Sequence, residues 1–243
     1  LNINLVLMKH IMNFLNKIIF FIFFYLFTAF FAILSIPLVL FPRKYISYSL
    51  MIWTNFMNYL LYFLFKIDYK IYGKINTNQV IYAIQHQSIW ETIVLAHFLP
   101  GPLSIVMKQE LISLPIIGFL FKKFGAIPLN RGKQIQSIRT LLSDAQKAVK
   151  KGDSILIYPQ GTRVKPGDNK PYLPGVFALY NRLKLPVVPI ALNSGKFWYN
   201  FNIKGPGIIK VSILNQVPIG LKKKEFMTNL KNLIENESKK LLK

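Results

Sequence analysis

The sequence contains no cysteine among its 243 residues. That excludes disulfides and thiolate metal sites, so the fold has to be held by its core alone. The lack of Cys also fits a reducing compartment. Acidic residues are scarce: nine Asp and Glu stand against 31 Lys and Arg, for a formal net charge of +22. An imbalance of that size implies an anionic partner, whether nucleic acid, an anionic membrane surface or a phosphorylated substrate. Only three histidines occur, isolated from one another, so no metal site is expected. Charged residues make up 16% of the chain and hydrophobic ones 52%. This is too apolar for an ordinary soluble enzyme and too polar for a polytopic transporter. The richness in Ile, Lys, Asn and Phe is consistent with codon bias, which accounts for part of the lysine excess. Leu1 stands first, with Met8 and Met12 as alternative starts.

Charge is missing altogether from Ile18 to Phe41. About 20 apolar residues suffice to cross the hydrocarbon core of a membrane. A signal peptide is disfavoured, because its apolar region runs to roughly 7–15 residues and no small-residue cleavage site follows here. Pro37 marks a kink or exit point. Lys9 and Lys17 precede the run and Arg43 and Lys44 follow it, which leaves the orientation open. Tyr45 to Phe65 is a second uncharged stretch, dotted with Ser47, Ser49, Thr54, Asn55 and Asn58. It reads as a helix at the interface, with Trp53 and several Tyr at headgroup depth, or packed on the first helix. The competing reading is a buried helix of the globular domain. The texture changes after Lys66, so residues 1–66 are expected to form a membrane anchor and 67–243 the main domain.

Beyond Lys66, short apolar runs alternate with helical patterns. Strands are expected at Tyr69–Tyr72, Val80–Ile84, Leu103–Met107, Ser154–Tyr158, Val187–Leu192 and Ile208–Leu214. Helices are expected at Ser88–Phe98, Gln134–Lys150 and Val176–Leu183. From Lys222 onward, Phe226, Leu230, Leu233 and Ile234 recur at helical spacing opposite a Lys-rich face. Alternation of this kind predicts the α/β class: a mixed, largely crossover-connected sheet flanked by helices, preceded by an N-terminal membrane-binding helical hairpin.

The chemistry-bearing residues sit where these strands end. The run Val80–Ile84 stops at Gln85-His86-Gln87, which delivers His86 to the C-terminal edge of the sheet, where α/β folds collect ligands. Glu91, five residues on, lies at the first turn of the next helix, within reach of the imidazole. A His held by a carboxylate can take a proton from an alcohol. The same residues spell a capping box, Ser88-x-x-Glu91, in which Glu91 only satisfies a backbone N–H. In Gly125 to Gly132 a turn projects Arg131, whose guanidinium suits phosphate. Tyr158-Pro159-Gln160-Gly161-Thr162-Arg163 follows a strand, with Gly161 permitting close approach and Arg163 a second cation. Lys108 ends another strand as a further phosphate contact. Val187-Val188-Pro189 shapes the floor. For both arginines and Lys108 the plain alternative is a solvated surface cation.

In order and spacing these segments resemble the glycerolipid acyltransferase family, specifically the 1-acyl-sn-glycerol-3-phosphate acyltransferases. The resemblance runs from about Tyr69 to Gly220 and rests on four blocks. His86 with Glu91 matches a His-x4-Asp motif, and Gly125 to Arg131 a phosphate-binding loop. Tyr158 to Arg163 matches Phe-Pro-Glu-Gly-Thr-Arg, and Val187 to Pro189 a Val-Pro strand. The resemblance implies fatty acyl transfer from a thioester to the hydroxyl of lysophosphatidic acid, giving phosphatidic acid. His86 and Glu91 would be catalytic. Arg131, Gln160, Gly161, Thr162, Arg163 and Lys108 would bind substrate. No bound cofactor or metal is implied; the donor is acyl-CoA or an acidic acyl-carrier protein. The implied partners are membrane lipids and a lysophospholipid acceptor, not nucleic acid. The implied setting is a bacterial inner membrane, with the catalytic domain on its cytoplasmic side.

Three departures bear on specificity. Glu91 replaces the usual Asp, Gln160 replaces a Glu and carries no charge, and Leu173-Pro174 stand where relatives often carry Lys. Two rival readings remain: acyl transfer to glycerol-3-phosphate or another lysolipid, and a non-enzymatic basic membrane protein that binds nucleic acid or anionic lipid. Against the second, the aromatics lie in apolar runs rather than among Lys and Arg, and no stacking platform is visible.

Overall fold

Val80 to Ile84 are all fully buried because they form the middle of a sheet covered on both faces. The computed structural model describes residues 3–74, 78–130 and 134–243. Two long helices come first, α1 (Ile3–Leu34) and α2 (Arg43–Phe65), joined through a 3-10 turn at Ile36–Leu40. There follow β1 (Ile67–Tyr72), β2 (Ile81–Ile84), α3 (Trp90–Phe98), β3 (Leu103–Lys108), α4 (Gln109–Ile112), α5 (Ile117–Phe124) and β4 (Ile127–Leu129). The second half holds α6 (Gln134–Lys150), β5 (Ser154–Ile157), α7 (Gly175–Leu183), β6 (Val187–Leu192) and α8 (Ser194–Phe197). A small hairpin of β7 (Trp198–Tyr199) and β8 (Asn202–Ile203), then β9 (Gly207–Ile213) and α9 (Lys223–Leu242), complete the chain.

Seven strands form one sheet in the order β1-β9-β6-β2-β5-β3-β4. From β6 across to β4 all neighbours are parallel. The edge changes direction: β9 runs antiparallel to β6, and β1 pairs parallel to β9. The sheet is mixed, as expected. The two faces follow from the period of two along a strand. Tyr82 and Ile84 join a core with Phe20, Leu61, Phe65 and Trp90, from α1, α2 and α3. Ile81 and Ala83 join the opposite core, with Leu141, Leu179, Phe226 and Leu230 from α6, α7 and α9.

α1 and α2 run antiparallel: Asn16 donates to the Leu64 carbonyl, Trp53 Nε1–H to Thr28, and Ser35 lies 2.6 Å from Ser49. α1 extends well before the uncharged run, since lysine is a good helix former, and it stops ahead of Pro37. Its segment Leu7–Leu34 is long and apolar enough to cross a membrane, and little of it is buried. α2 is two-faced. Ile46, Thr54, Met57, Leu60, Leu61 and Phe65 are buried against the domain, while Tyr48, Ile52, Tyr59, Tyr62 and Phe63 are exposed. Thr54 donates to the Ile93 carbonyl at 3.1 Å, and Trp90 Nε1–H to Asn58 at 3.1 Å. The texture change at Lys66 is therefore not a break in packing.

Arg43, at the start of α2, is pinned to the N-terminal edge of the sheet. It pairs with buried Asp153 at 2.5 Å, donates to the Leu103 carbonyl and lies over the Phe124 ring. Ser104 donates to the same Asp153 oxygen at 2.6 Å. Removing one partner of a buried pair strands the other charge. Arg43→Met should therefore destabilise the fold by about 2–4 kcal/mol, discounted because Arg43 is partly solvated. Thermal unfolding in detergent checks this, and an unchanged Tm would make the pair incidental.

Candidate active site

His86 lies just past β2, where Gln85 N–H still donates to the Ile190 carbonyl at 3.0 Å. The loop after β5 then grips its backbone from both sides. His86 N–H donates to Gln160 Oε1 at 2.8 Å, and Val164 N–H donates to the His86 carbonyl at 2.8 Å. The ring stacks on Tyr158, with centroids 4.3 Å apart. Burial, with the Glu91 charge adding to it, pushes the Tyr158 phenol well up, so it stays neutral.

Glu91 is completely buried and lies 3.0 Å from His86 Nδ1 through Oε1. The same oxygen accepts the backbone N–H of Gln87 at 2.6 Å and of Ser88 at 2.5 Å. Ser194 donates its hydroxyl to Oε2 at 2.6 Å. Capping and imidazole holding are thus one arrangement: Glu91 satisfies orphan N–H groups at the start of α3 and also faces the ring. A carboxylate opposite Nδ1 favours the tautomer with the proton there. Nε2 is then the free acceptor, on a side chain that is 14% exposed. Such a nitrogen can take a proton from a hydroxyl placed against it.

A second layer fixes the first. Gln87 accepts Gly195 N–H at 3.1 Å and donates to Ser238 at 3.2 Å, and Ser238 donates to the Leu192 carbonyl. β2, β6, α8 and α9 thereby meet behind the His86–Glu91 pair. Gln160 is 1% exposed, with its carbonyl on the His86 backbone and its Nε2 unpartnered among the described residues. The strand-end turn directs the side chain inward, onto the backbone that carries His86. Gly161 occupies a left-handed turn, φ +67°, with Leu173 packed where a Cβ would sit. Thr162 is half-buried and Arg163 exposed. Arg163, Lys165, Lys170, Asp168 and Tyr199 line a recess of about 490 Å³. Lys108 ends β3 on the same edge of the sheet, exposed and paired with Glu110 at 3.2 Å. Arg131 lies outside the described residues. Among the described residues no His, Cys, Asp or Glu cluster could hold a metal ion. Sequence reasoning missed Ser194, Gln87 and the Tyr158 stack; the polar break Asn193-Ser194-Gly195 after a buried strand was the one available signal.

A family model described as acyltransferase matches residues 66–193, just over half of the chain. The 1-acyl-sn-glycerol-3-phosphate acyltransferase of Pseudomonas aeruginosa is 32% identical over 180 residues, 73% of this chain and 69% of that protein. The human 1-acyl-sn-glycerol-3-phosphate acyltransferase beta is 29% identical over 135 residues, 55% of this chain and 49% of the relative. This chain belongs to the acyltransferase family. In fold it is similar to the crystal structure of the 1-acyl-sn-glycerophosphate (LPA) acyltransferase of Thermotoga maritima. The TM-score is 0.75 at 17% identity, covering 96% of this chain and 98% of that one.

Glu91→Gln replaces an acceptor of several donors by an amide that turns an N–H toward some of them. Both Tm and kcat should fall, kcat by about 10²–10⁴, the range for losing an orienting or basic group. Wild-type turnover at lowered Tm would reduce Glu91 to a helix cap. Ser194→Ala leaves the backbone donors in place, so about 1–2 kcal/mol of stability and several-fold in kcat should go. Ser194→Thr, which keeps the hydroxyl, should recover most of both. Equal losses in the two variants would deny the hydroxyl a role.

Proposed function

We propose that this chain transfers a fatty acyl group from an acyl thioester to the free hydroxyl of lysophosphatidic acid, forming phosphatidic acid for phospholipid synthesis. One observation carries the reading: His86 Nδ1 faces a buried carboxylate at 3.0 Å, which leaves Nε2 to act as the base. The acceptor hydroxyl gives its proton to Nε2 as its oxygen attacks the thioester carbonyl. The tetrahedral intermediate then expels the thiolate, which recovers that proton from the imidazolium. The ester forms, the C–S bond breaks, and no metal is required. Glu91 balances the imidazolium between the two steps. The substrates are supported by the names of the relatives, which are 1-acyl-sn-glycerol-3-phosphate acyltransferases.

Arg163 and its neighbouring lysines bind the acceptor phosphate in this reading, with Arg131 and Lys108 as further cations. Gly161 and Thr162 shape the turn that presents Arg163, and Gln160 positions His86. Residues 1–66 anchor the domain, with α1 in the bilayer and the exposed face of α2 at the headgroups. Acyl-CoA or acyl-carrier protein reaches the site from the cytoplasmic side of a bacterial inner membrane. Both donors are anionic and suit a chain of net charge +22.

The test uses membranes carrying the protein, given lysophosphatidic acid and acyl-CoA, with the product identified by mass. His86→Ala should lower turnover by about 10²–10⁴ without changing membrane association. More than half of wild-type turnover would remove His86 from the mechanism. Arg163→Ala should raise KM for the phosphate-bearing acceptor more than it lowers kcat, since a ground-state contact is largely uniform binding. An unchanged KM would move the phosphate to another cation.

A further inference from the structure

The small hairpin between α8 and β9 has no part in the chemistry above, yet it is built to be held in place. Trp198 is buried, stands edge-on to Phe20 of α1 at 5.2 Å, and donates through Nε1 to the Asn200 carbonyl at 2.9 Å. Asn200 turns the chain at φ +53°. Lys17 of α1 donates to Asn202 at 2.8 Å. On this docked turn Phe201 is left 70% exposed, touching only the edge of Phe21 among the aromatic rings of the described residues. A Phe side chain in water forgoes about 1.5–3 kcal/mol of burial.

The surroundings of Phe201 say what covers it. With Phe14, Ile18, Phe21, Tyr25 and Leu26 it lines a trough of about 680 Å³ along α1, whose one charged wall residue, Lys17, is tied to Asn202 of the hairpin. That trough is continuous with the exposed face of the one helix, among the described residues, long and apolar enough to cross a membrane. Two residues before Phe201, Tyr199 lines the recess whose wall carries the cations Arg163, Lys165 and Lys170 against the single carboxylate of Asp168. One hairpin therefore presents an apolar tip toward α1 and an aromatic phenol toward a cluster of cations. That polarity matches a water–lipid boundary, where aromatic side chains span the two media and cations meet anionic headgroups.

We propose that the Trp198–Ile203 hairpin is a membrane-contact element. Phe201 enters the hydrocarbon beside α1, while Tyr199 holds the cationic recess at the depth of anionic lipid headgroups. The recess then opens to a phosphate-bearing lipid still seated in the bilayer, so the acceptor need not leave the membrane to be bound. The proposal rests on the reading of α1 as a membrane helix, and deepens the acyltransferase reading by giving its acceptor a route.

The absence of cysteine makes the test direct. Single-cysteine variants of the whole chain, Phe30→Cys, Phe201→Cys and Ile219→Cys, are nitroxide-labelled and reconstituted in vesicles of phosphatidylethanolamine and phosphatidylglycerol. Phe30 is exposed on α1 within its uncharged run. Ile219 is exposed and sits beyond Val217, which pairs with Val187 at the opposite end of the sheet from His86. Labels at 30 and 201 should collide with oxygen several-fold more than with a water-soluble nickel chelate, and the label at 219 should show the reverse. A label at 201 that behaves like the one at 219, while 30 lies in lipid, overturns the hairpin contact and leaves the anchor standing. Aqueous labels at both 30 and 201 overturn the anchor as well. Transferase activity, measured on the same samples, reports separately on the catalytic reading.

Discussion

The structure turns on a carboxylate that has no contact with water. A buried charge is tolerated only when it is paired and hydrogen-bonded. Glu91 meets that condition with the N–H groups of Gln87 and Ser88, the hydroxyl of Ser194 and the His86 ring. These partners come from the end of β2, the entry to α3 and the start of α8. Satisfying one charge thus fixes three segments, and the imidazole is oriented as part of the same settlement. The cost of leaving any donor unmet is what makes the arrangement rigid.

The same site is mechanically continuous with the apolar helices at the N-terminus. α2 touches α3 through Thr54 with Ile93 and Asn58 with Trp90, the residue next to Glu91. At its other end Arg43 reaches Asp153, just ahead of β5. α2 is therefore a wall of the domain core that also carries an exposed aromatic face, with Tyr48, Tyr59, Tyr62 and Phe63.

Much of the sheet was legible because central strands are read by composition alone. Val80–Ile84 and Val187–Leu192 are apolar on both faces, and Gln134–Lys150 shows a clean helical period that matches α6. Short elements were not legible: β4 has three residues and α4 has four, too few for any period to register. The exposure of half of α2 and the burial of the other half explain why its sequence supported two readings. At the site, the His86–Glu91 contact was within reach of sequence because five residues separate the pair at a strand-to-helix turn. Ser194 and Gln160 were out of reach in a different sense, since their partners lie 103 and 74 residues away. Only the sheet order brings the ends of β2, β5 and β6 side by side. The phosphate role of Arg131 stays a proposal, as that residue falls outside those described.

The central claim is that Glu91 fixes the proton of His86 on Nδ1 and leaves Nε2 bare. Histidine-selective ¹⁵N labelling tests this directly, since the chain has only three histidines. His86 is assigned by comparison with His86→Ala, in the full-length protein in micelles near neutral pH. The account predicts that the ring's neutral form carries its proton on Nδ1 and leaves Nε2 unprotonated, and that Glu91→Gln loses that bias. A resting ring protonated on Nε2 alone would contradict it, because the nitrogen required as base would already carry the proton.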